Sequence, residues 1–338
     1  MTRPSLSVRA GFAALAVVAV LACLAPFLAP NRPSDQFADR VFAPPTRVHV
    51  RDASGFHAPF VYRLTLVDRL ERRFEEDTST RFPMQWFAGG RLVSVDPAAG
   101  PLLFLGADPI GRDMWSRLLY GARLSLGVTA LGALAALVAG AAIGALAGAV
   151  GGRVSWLLML IADFVLVLPG VYLVLVLRAM LPQTLGTGDV FWLMVLLFGV
   201  AGWPHVARGV RAIVAAESAT DYAEAARAAG AGPLRLARQL LPAARGFLSV
   251  EFALLVPALL VAEATISFLG LGFPEPTPSW GTLLREAGNI NGMLRAPWTL
   301  APAAALFLVV LGVQLAGGVR GSENFLMSTK FEVRSSKL

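Results

Sequence analysis

Lysine is missing from almost the whole chain: every basic residue before Lys330 is arginine, and the only two lysines, Lys330 and Lys337, fall in the last nine residues. A Walker-type phosphate loop requires Gly-x-x-x-x-Gly-Lys, so this chain does not hold nucleotide phosphates in that way. Cysteine is reduced to Cys23, inside an apolar run, which excludes an intramolecular disulfide and a thiolate metal site. Histidine occurs three times; His49 and His57 have no cysteine or acidic neighbour at ligand spacing, which describes surface histidines and no metal site. Charged residues make up only 15% of the chain, and long stretches have none.

What fills that space is apolar. Hydrophobic residues make up 56% of the 338, and the mean hydropathy is +0.64. In such a chain length counts membrane spans, not soluble domains. The net charge of +7 could suit nucleic acid, but the arginines are scattered beside apolar runs, a placement that orients a membrane protein and argues against a nucleic-acid partner.

Six apolar runs predict six transmembrane helices in an all-α integral membrane protein. Gly11 to Ala29 is the first, after Arg3 and Arg9. A cleaved signal peptide also begins with basic residues before an apolar stretch, but this stretch is long and ends in Pro26 and Pro30 without a small-residue cleavage site, which favours a retained span. Leu124 to Val150, Val190 to Val206 and Thr299 to Val319 are uncharged; Trp156 to Leu177 contains only Asp163, and Phe247 to Leu271 contains Glu251 and Glu263. Within the second run, Gly140, Gly144 and Gly148 recur every fourth residue and form one helix face that a neighbouring backbone can approach.

The domain plan follows: residues 1–30 are the N-terminus and first helix, 31–118 an insert, 119–319 a domain of five helices, and 320–338 a tail. The insert is charged and has soluble-like composition. Arg47-Val48-His49-Val50 and Phe60-Val61-Tyr62-Arg63-Leu64 predict short strands, and Leu66 to Phe74 a helix, hence a small mixed insert between helices 1 and 2. Arg153, Arg208, Arg211, Arg227, Arg235, Arg238 and Arg245 fall in alternate connections with Arg3 and Arg9, which places both termini in the cytoplasm and the insert outside. The closing KFEVRSSKL, which holds both lysines, reads as an unusual or appended tail, and its terminal Ser-Lys-Leu as a coincidental likeness to a peroxisomal address.

The polar run DYAEAARAAGAGPLRLARQLLP, Asp221 to Pro242, lies between two spans on the cytoplasmic side. Ala223 to Ala229 favours a helix, Gly230 and Gly232 interrupt, Pro233 opens a second helix and Pro242 closes it. Asp221 and Glu224 suit the positive end of the first helix. The residues alone fit equally a helix pair lying on lipid headgroups and one docking on a protein; the small alanines of the first helix permit close approach to a protein groove.

The intramembrane acids Asp163, Glu251 and Glu263 are costly in lipid and should face protein or a water-filled path. They leave open an ion-coupled secondary transporter, and Asp163, Pro169 and Glu263 are candidate path residues, with Pro169 expected to kink its helix. An enzyme or receptor built on the insert finds no Ser/His/Asp, Cys/His or paired-carboxylate spacing to support it.

The spacing Glu224-Ala225-Ala226, Gly230, Leu241-Pro242 resembles the EAA signature of permease subunits of bacterial binding-protein-dependent ABC importers. Leu105 to Leu126, LGADPIGRDMWSRLLYGARLSL, and Ala262 to Leu284, AEATISFLGLGFPEPTPSWGTLL, resemble the C-type subunit of dipeptide and oligopeptide permeases. The likeness runs from Leu105 to Val319; the interval from Gly230 to Pro242 is one residue shorter than the family pattern, and the usual acidic ending is replaced. The resemblance implies the type I ABC importer permease fold, with residues 209–245 as its EAA loop, in the bacterial inner membrane. It implies a heterodimer with a second permease subunit, two ATP-binding subunits that hold ATP and Mg, and an extracytoplasmic solute-binding protein. Peptide is the implied cargo, with nickel or another small solute as the alternative. This chain would bind no cofactor or metal and catalyse nothing. Asp221, Tyr222, Glu224, Ala225, Ala226, Arg227, Gly230 and Pro242 would form the ATPase-docking element, with Ala223 to Gly230 entering the ATPase groove.

Overall fold

The computed structural model describes residues 6–316 except 53, 70, 168, 169, 181, 183 and 289. The tail from Arg320 and the predicted kink at Pro169 lie outside the described residues. Two compact units divide the chain, one of residues 6–15, 127–262 and 309–316, the other of Ala16–Leu126 and Glu263–Leu308.

The first unit is helical. It takes the start of α1 (Leu6–Cys23), most of α3 (Met114–Val150), then α4 (Gly152–Val167), α5 (Gly170–Ala179), α6 (Thr187–Glu217), α7 (Asp221–Ala228), α8 (Pro233–Leu240) and most of α9 (Arg245–Phe268), with the end of α12 (Pro297–Ala316). The glycine face of α3 meets α6 directly. A methyl group on Gly140, Gly144 or Gly148 would stand 2.7, 2.5 or 2.9 Å from the carbonyl oxygen of Trp203, Ala207 or Arg211. Those three carbonyls are themselves one stripe at four-residue spacing, so the two helices touch along their backbones and no side chain separates them. Val206, Val210 and Val214 fill the flanks of the contact and are fully buried. α1 and α12 meet in the same way, with Gly11 against the carbonyl of Gly312.

The second unit contains the rest of α1, the short α2 (Ala25–Leu28), the insert, the first turns of α3, α10 (Trp280–Ala287) and α11 (Ile290–Arg295). The insert is a three-stranded antiparallel sheet in the order β1 (Val48–Asp52), β2 (Gly55–Asp68), β3 (Arg73–Pro83), followed by the small pair β4 (Gln85–Trp86) and β5 (Val93–Ser94). Of the two predicted strands, Phe60 to Leu64 lies within β2, and Val48 to Val50 lies in β1 with Arg47 just before it. The helix predicted over Leu66 to Phe74 is instead a hairpin: Leu66 pairs with Phe74 across the two strands, and Arg72 takes a left-handed φ of 54° at the turn. Phe74-Glu75-Glu76-Asp77-Thr78 offers little apolar surface to a helix, while alternation along Leu64, Leu66 and Phe74 suits a sheet face.

Among the described residues, five helices are long and apolar enough to cross a membrane: Leu6–Cys23, Met114–Val150, Thr187–Glu217, Pro233–Phe268 and Pro297–Ala316. Within the predicted crossing over Trp156 to Leu177 the described residues form α4 and α5, of 16 and 10 residues. The chain is therefore a mostly helical, multi-pass membrane protein in which a small sheet follows the first helix.

Candidate docking site

Asp221 to Pro242 folds as a helix, a glycine turn and a second helix. Thr220 precedes α7 in an extended conformation, and its Oγ1 donates to the carbonyl of Glu217 at 2.7 Å and not into α7. The first turn instead carries Asp221 and Glu224 against the positive helix end. At the other end Gly230 has φ of 83°; its amide donates to the carbonyl of Arg227 at 2.9 Å and that of Ala231 to Ala226 at 2.9 Å. This is the Schellman pattern, which needs a left-handed residue where Gly230 stands. Pro233 occupies the first turn of α8, where its missing N–H costs nothing.

One side of the pair is sunk into the protein. Ala223, Leu236, Ala237, Leu240 and Ala244 are buried together with Ala141 and Ala145 of α3 and Val206, Val210 and Val214 of α6. Burial of the two leucines alone contributes about 3–6 kcal/mol. Arg227 adds a tether, with Nη2 donating to the carbonyl of Ser218 at 2.9 Å. The opposite side exposes Asp221, Glu224, Ala225 and Gly230, as well as Arg235 and Arg238. Two large side chains stand out there: Tyr222 is 61% and Leu234 76% exposed. Ala226 is half-buried against the core. Ala223 faces inward and is fully buried, so the expected groove-entering run does not include its side chain.

The α-helix α8 ends at Leu240, just ahead of Pro242, but the chain does not leave the helical path there. Pro242 lies in a 3-10 turn, Leu241–Ala244, whose flanking residues Leu240 and Arg245 both have right-handed helical dihedrals. Arg245 Nε donates to the Pro242 carbonyl at 2.9 Å. The helical path thus runs from Pro233 to Phe268, 36 residues, and α8 is directly joined to a membrane span. Proline is tolerated in the first turn of a helix, which is the place that the 3-10 segment gives it.

The family of binding-protein-dependent transport system inner membrane components matches residues 140–318, more than half of the chain, and this match includes the whole helix pair. The chain belongs to this family. It is 31% identical over 310 residues to the di/tripeptide transport system permease protein DppC of Pseudomonas aeruginosa, covering 91% of this chain and 84% of that protein. Similarity extends to the oligopeptide transport system permease protein OppC of Bacillus subtilis, 31% identical over 228 residues that cover 67% of this chain and 72% of that protein. The dipeptide transport system permease protein DppC of the same organism is 36% identical over 184 residues, covering 54% of this chain and 56% of that protein.

In this inner membrane component the acids Asp163, Glu251 and Glu263 have near neighbours that the sequence did not assign. Asp163 of α4 lies 3.4 Å from Nε of Arg208 on α6, with both side chains about half exposed. The distance is that of an ion pair, while Asp163 Oδ1 makes no hydrogen bond. Glu251 faces His205 at 3.6 Å. Glu263 is fully buried; its Oε1 accepts from Ser267 Oγ at 2.7 Å, and Oε2 has no hydrogen-bond partner. In the sequence Arg208 counts only as a sign of orientation, and it is the i+4 spacing of Glu263 and Ser267 that could have revealed their bond. In the insert, His49 of β1 lies 3.0 Å from Glu76 of β3 and His57 3.1 Å from Asp52 across the turn from β1 to β2, partners that the folded sheet brings together. Bonds from Ser54, with Arg81 nearby, hold the Asp52 carboxyl low, at about 2. Among the described residues no three His, Cys, Asp or Glu side chains gather as a metal site.

Proposed function

We propose that this chain is the permease subunit of an ATP-driven peptide importer and that α7 and α8 are its contact with an ATPase. The observation that supports this most directly is the continuous helical path from Pro233 to Phe268: α8 is buried on one side, exposed on the other and joined to a span. A partner that moves α8 therefore moves the span, which is what coupling between an ATPase and a path requires. Glu224 and Ala225 present a charged and a small contact, Tyr222 and Leu234 larger ones, and Gly230 the turn.

In this reading α4 and α5 together make the sixth crossing. Both termini lie in the cytoplasm, and the sheet of the insert lies outside to receive a solute-binding protein. A second permease subunit completes the path, and two partner subunits bind ATP and Mg. Asp163, Pro169 and Glu263 are proposed to shape the path. The names of the relatives support peptides as cargo.

Glu224→Lys tests the docking role. The substitution should leave the chain inserted and lower ATP-driven peptide uptake by the complete complex at least about tenfold, as expected where a charge at a contact is reversed. Full uptake would remove the assignment. Loss of uptake on adding an uncoupler, with ATP held constant, would favour the ion-coupled alternative.

A further inference from the structure

The second unit holds a cavity of about 400 Å³ whose charged lining consists of Arg40, Arg63 and Arg91 against a single carboxylate, Asp39. Arg40 is only 4% exposed and its Nε makes no hydrogen bond. Asp39 lies 3.3 Å from that nitrogen, but its own side chain is 68% exposed and the approach is off the hydrogen-bonding direction. Nη1 of Arg40 donates to the carbonyl of Leu64, a neutral acceptor that fixes the guanidinium without balancing its charge. Burial holds Arg40 below the usual arginine range; Asp39 opposes this and Arg63 adds to it. A buried cation with so little counter-charge is costly unless an anion joins it.

The position of the cavity points to the source of that anion. Pro30 and Asn31 line it, and Nη1 of Arg91 donates to the Pro30 carbonyl. Pro30 is two residues past the end of α2, which continues the apolar run of α1. Two residues of extended chain reach at most ~7 Å, about the depth of the headgroup layer on either side of the hydrocarbon core. Arginine forks suit the several oxygens of a phosphate better than a point charge does.

We propose that this cavity is a binding site for a phosphate oxyanion, occupied in the membrane by the headgroup phosphate of a phospholipid. Arg40 forms its buried end and Arg63 and Arg91 its mouth. The site requires only that the chain be inserted in a membrane, so it stands or falls separately from peptide transport.

The test uses the full chain purified in detergent and titrated with phosphatidylglycerol, with a diacylglycerol of the same acyl chains, and with inorganic phosphate. Lipid binding is read by native mass spectrometry and phosphate binding by the shift in thermal denaturation. Phosphatidylglycerol should bind and diacylglycerol should not. Arg63→Gln and Arg91→Gln should each weaken phosphatidylglycerol binding about tenfold, the scale of one charge-assisted contact. Arg63 is exposed, so its variant reports on the site even if Arg40→Gln fails to fold. Stabilisation by inorganic phosphate that Arg63→Gln abolishes, with the two lipids indistinguishable, would keep the site and make its occupant free phosphate. Equal binding of the two lipids with no response to phosphate, or binding unchanged in both variants, would overturn the proposal.

Discussion

Arg117 Nη2 donates to Glu286 Oε1 at 2.8 Å, joining the first turns of α3 to α10 across 169 residues of sequence. The pair belongs to a group of four charges: Arg112 Nε donates to Asp108 Oδ2 at 2.6 Å, Arg112 Nη2 reaches Glu286 Oε1 at 2.8 Å, and Arg117 also contacts Asp108, while the largely exposed Glu275 stands 3.7 Å from Arg112 at its edge. Asp108, Arg112 and Arg117 are all nearly inaccessible. Removing one member therefore strands the others, whereas removing a matched pair does not. Arg117→Met should destabilise the purified chain by about 3–5 kcal/mol, and Arg117→Met with Glu286→Met should recover most of that loss, because Asp108 and Arg112 still balance. Additive losses in denaturation of the single and double variants would show that the four charges do not act as one group.

Asp113, next to this group, gives a pH dependence of defined sign. It is fully buried, and although Ser116, Asn31 and the amides of Trp115 and Ser116 donate to it, burial dominates and raises its pKa to about 6. In the unfolded chain it titrates at 3.8. Between these values the folded chain binds the proton and the unfolded chain does not, so stability from this group is full below about pH 4 and is lost as pH rises through 6. The loss is ~3 kcal/mol, because each tenfold difference in proton affinity between the folded and unfolded chain is worth ~1.4 kcal/mol. Comparing wild type with Asp113→Asn by denaturation at pH 4, 5, 6 and 7.5 isolates it: the wild type should lose stability relative to the variant as pH rises. A constant difference would rule out the assigned titration.

Local punctuation made much of this legible from residues alone. Gly230, Gly232 and Pro233 announced two short helices because left-handed φ and a missing N–H are tolerated only at particular positions. The four-residue spacing of Gly140, Gly144 and Gly148 announced a close helix contact but not its partner. What remained hidden depends on residues distant in sequence. Leu66 and Phe74 satisfy a helical spacing as well as a hairpin, and only pairing with the strand decides between them. Asp163 and Arg208, like Arg117 and Glu286, come from different helices, and composition does not say which helices adjoin. The cavity of Arg40, Arg63 and Arg91 draws on three segments of the insert, each unremarkable by itself.

The contact between α3 and α6 predicts a strong distinction among glycines. A methyl group on Gly144 would lie 2.5 Å from the carbonyl oxygen of Ala207 and 2.9 Å from Cβ of Val210, so the helices must separate. Gly144→Ala should cost about 1–3 kcal/mol, the usual range for overpacking. Gly246→Ala, in the first turn of α9 with nothing within 4 Å of the added carbon, should be neutral or stabilise by up to ~1 kcal/mol. Denaturation of the two purified variants tests this, and equal effects would show that the backbone contact does not limit the packing.

The two faces of α7 and α8 should separate folding from any contact with a partner. Leu236 is 2% exposed and packs with Val206, Val210 and Val214, so Leu236→Ala should cost about 2–5 kcal/mol wherever stability is read, with or without an ATPase partner. Tyr222 is 61% exposed and lies on the outward face, so Tyr222→Ala should change the stability of the isolated chain by no more than about 0.5 kcal/mol. If the outward face receives an ATPase, the same Tyr222→Ala should weaken ATPase binding by about 2 kcal/mol or more, the scale of an aromatic anchor at an interface. Denaturation of the isolated chain and binding of the ATPase to it in detergent are therefore read side by side. Tyr222→Ala that leaves both unchanged would move the docking contact off this face, whereas loss of stability in the isolated chain would mean that Tyr222 supports the fold.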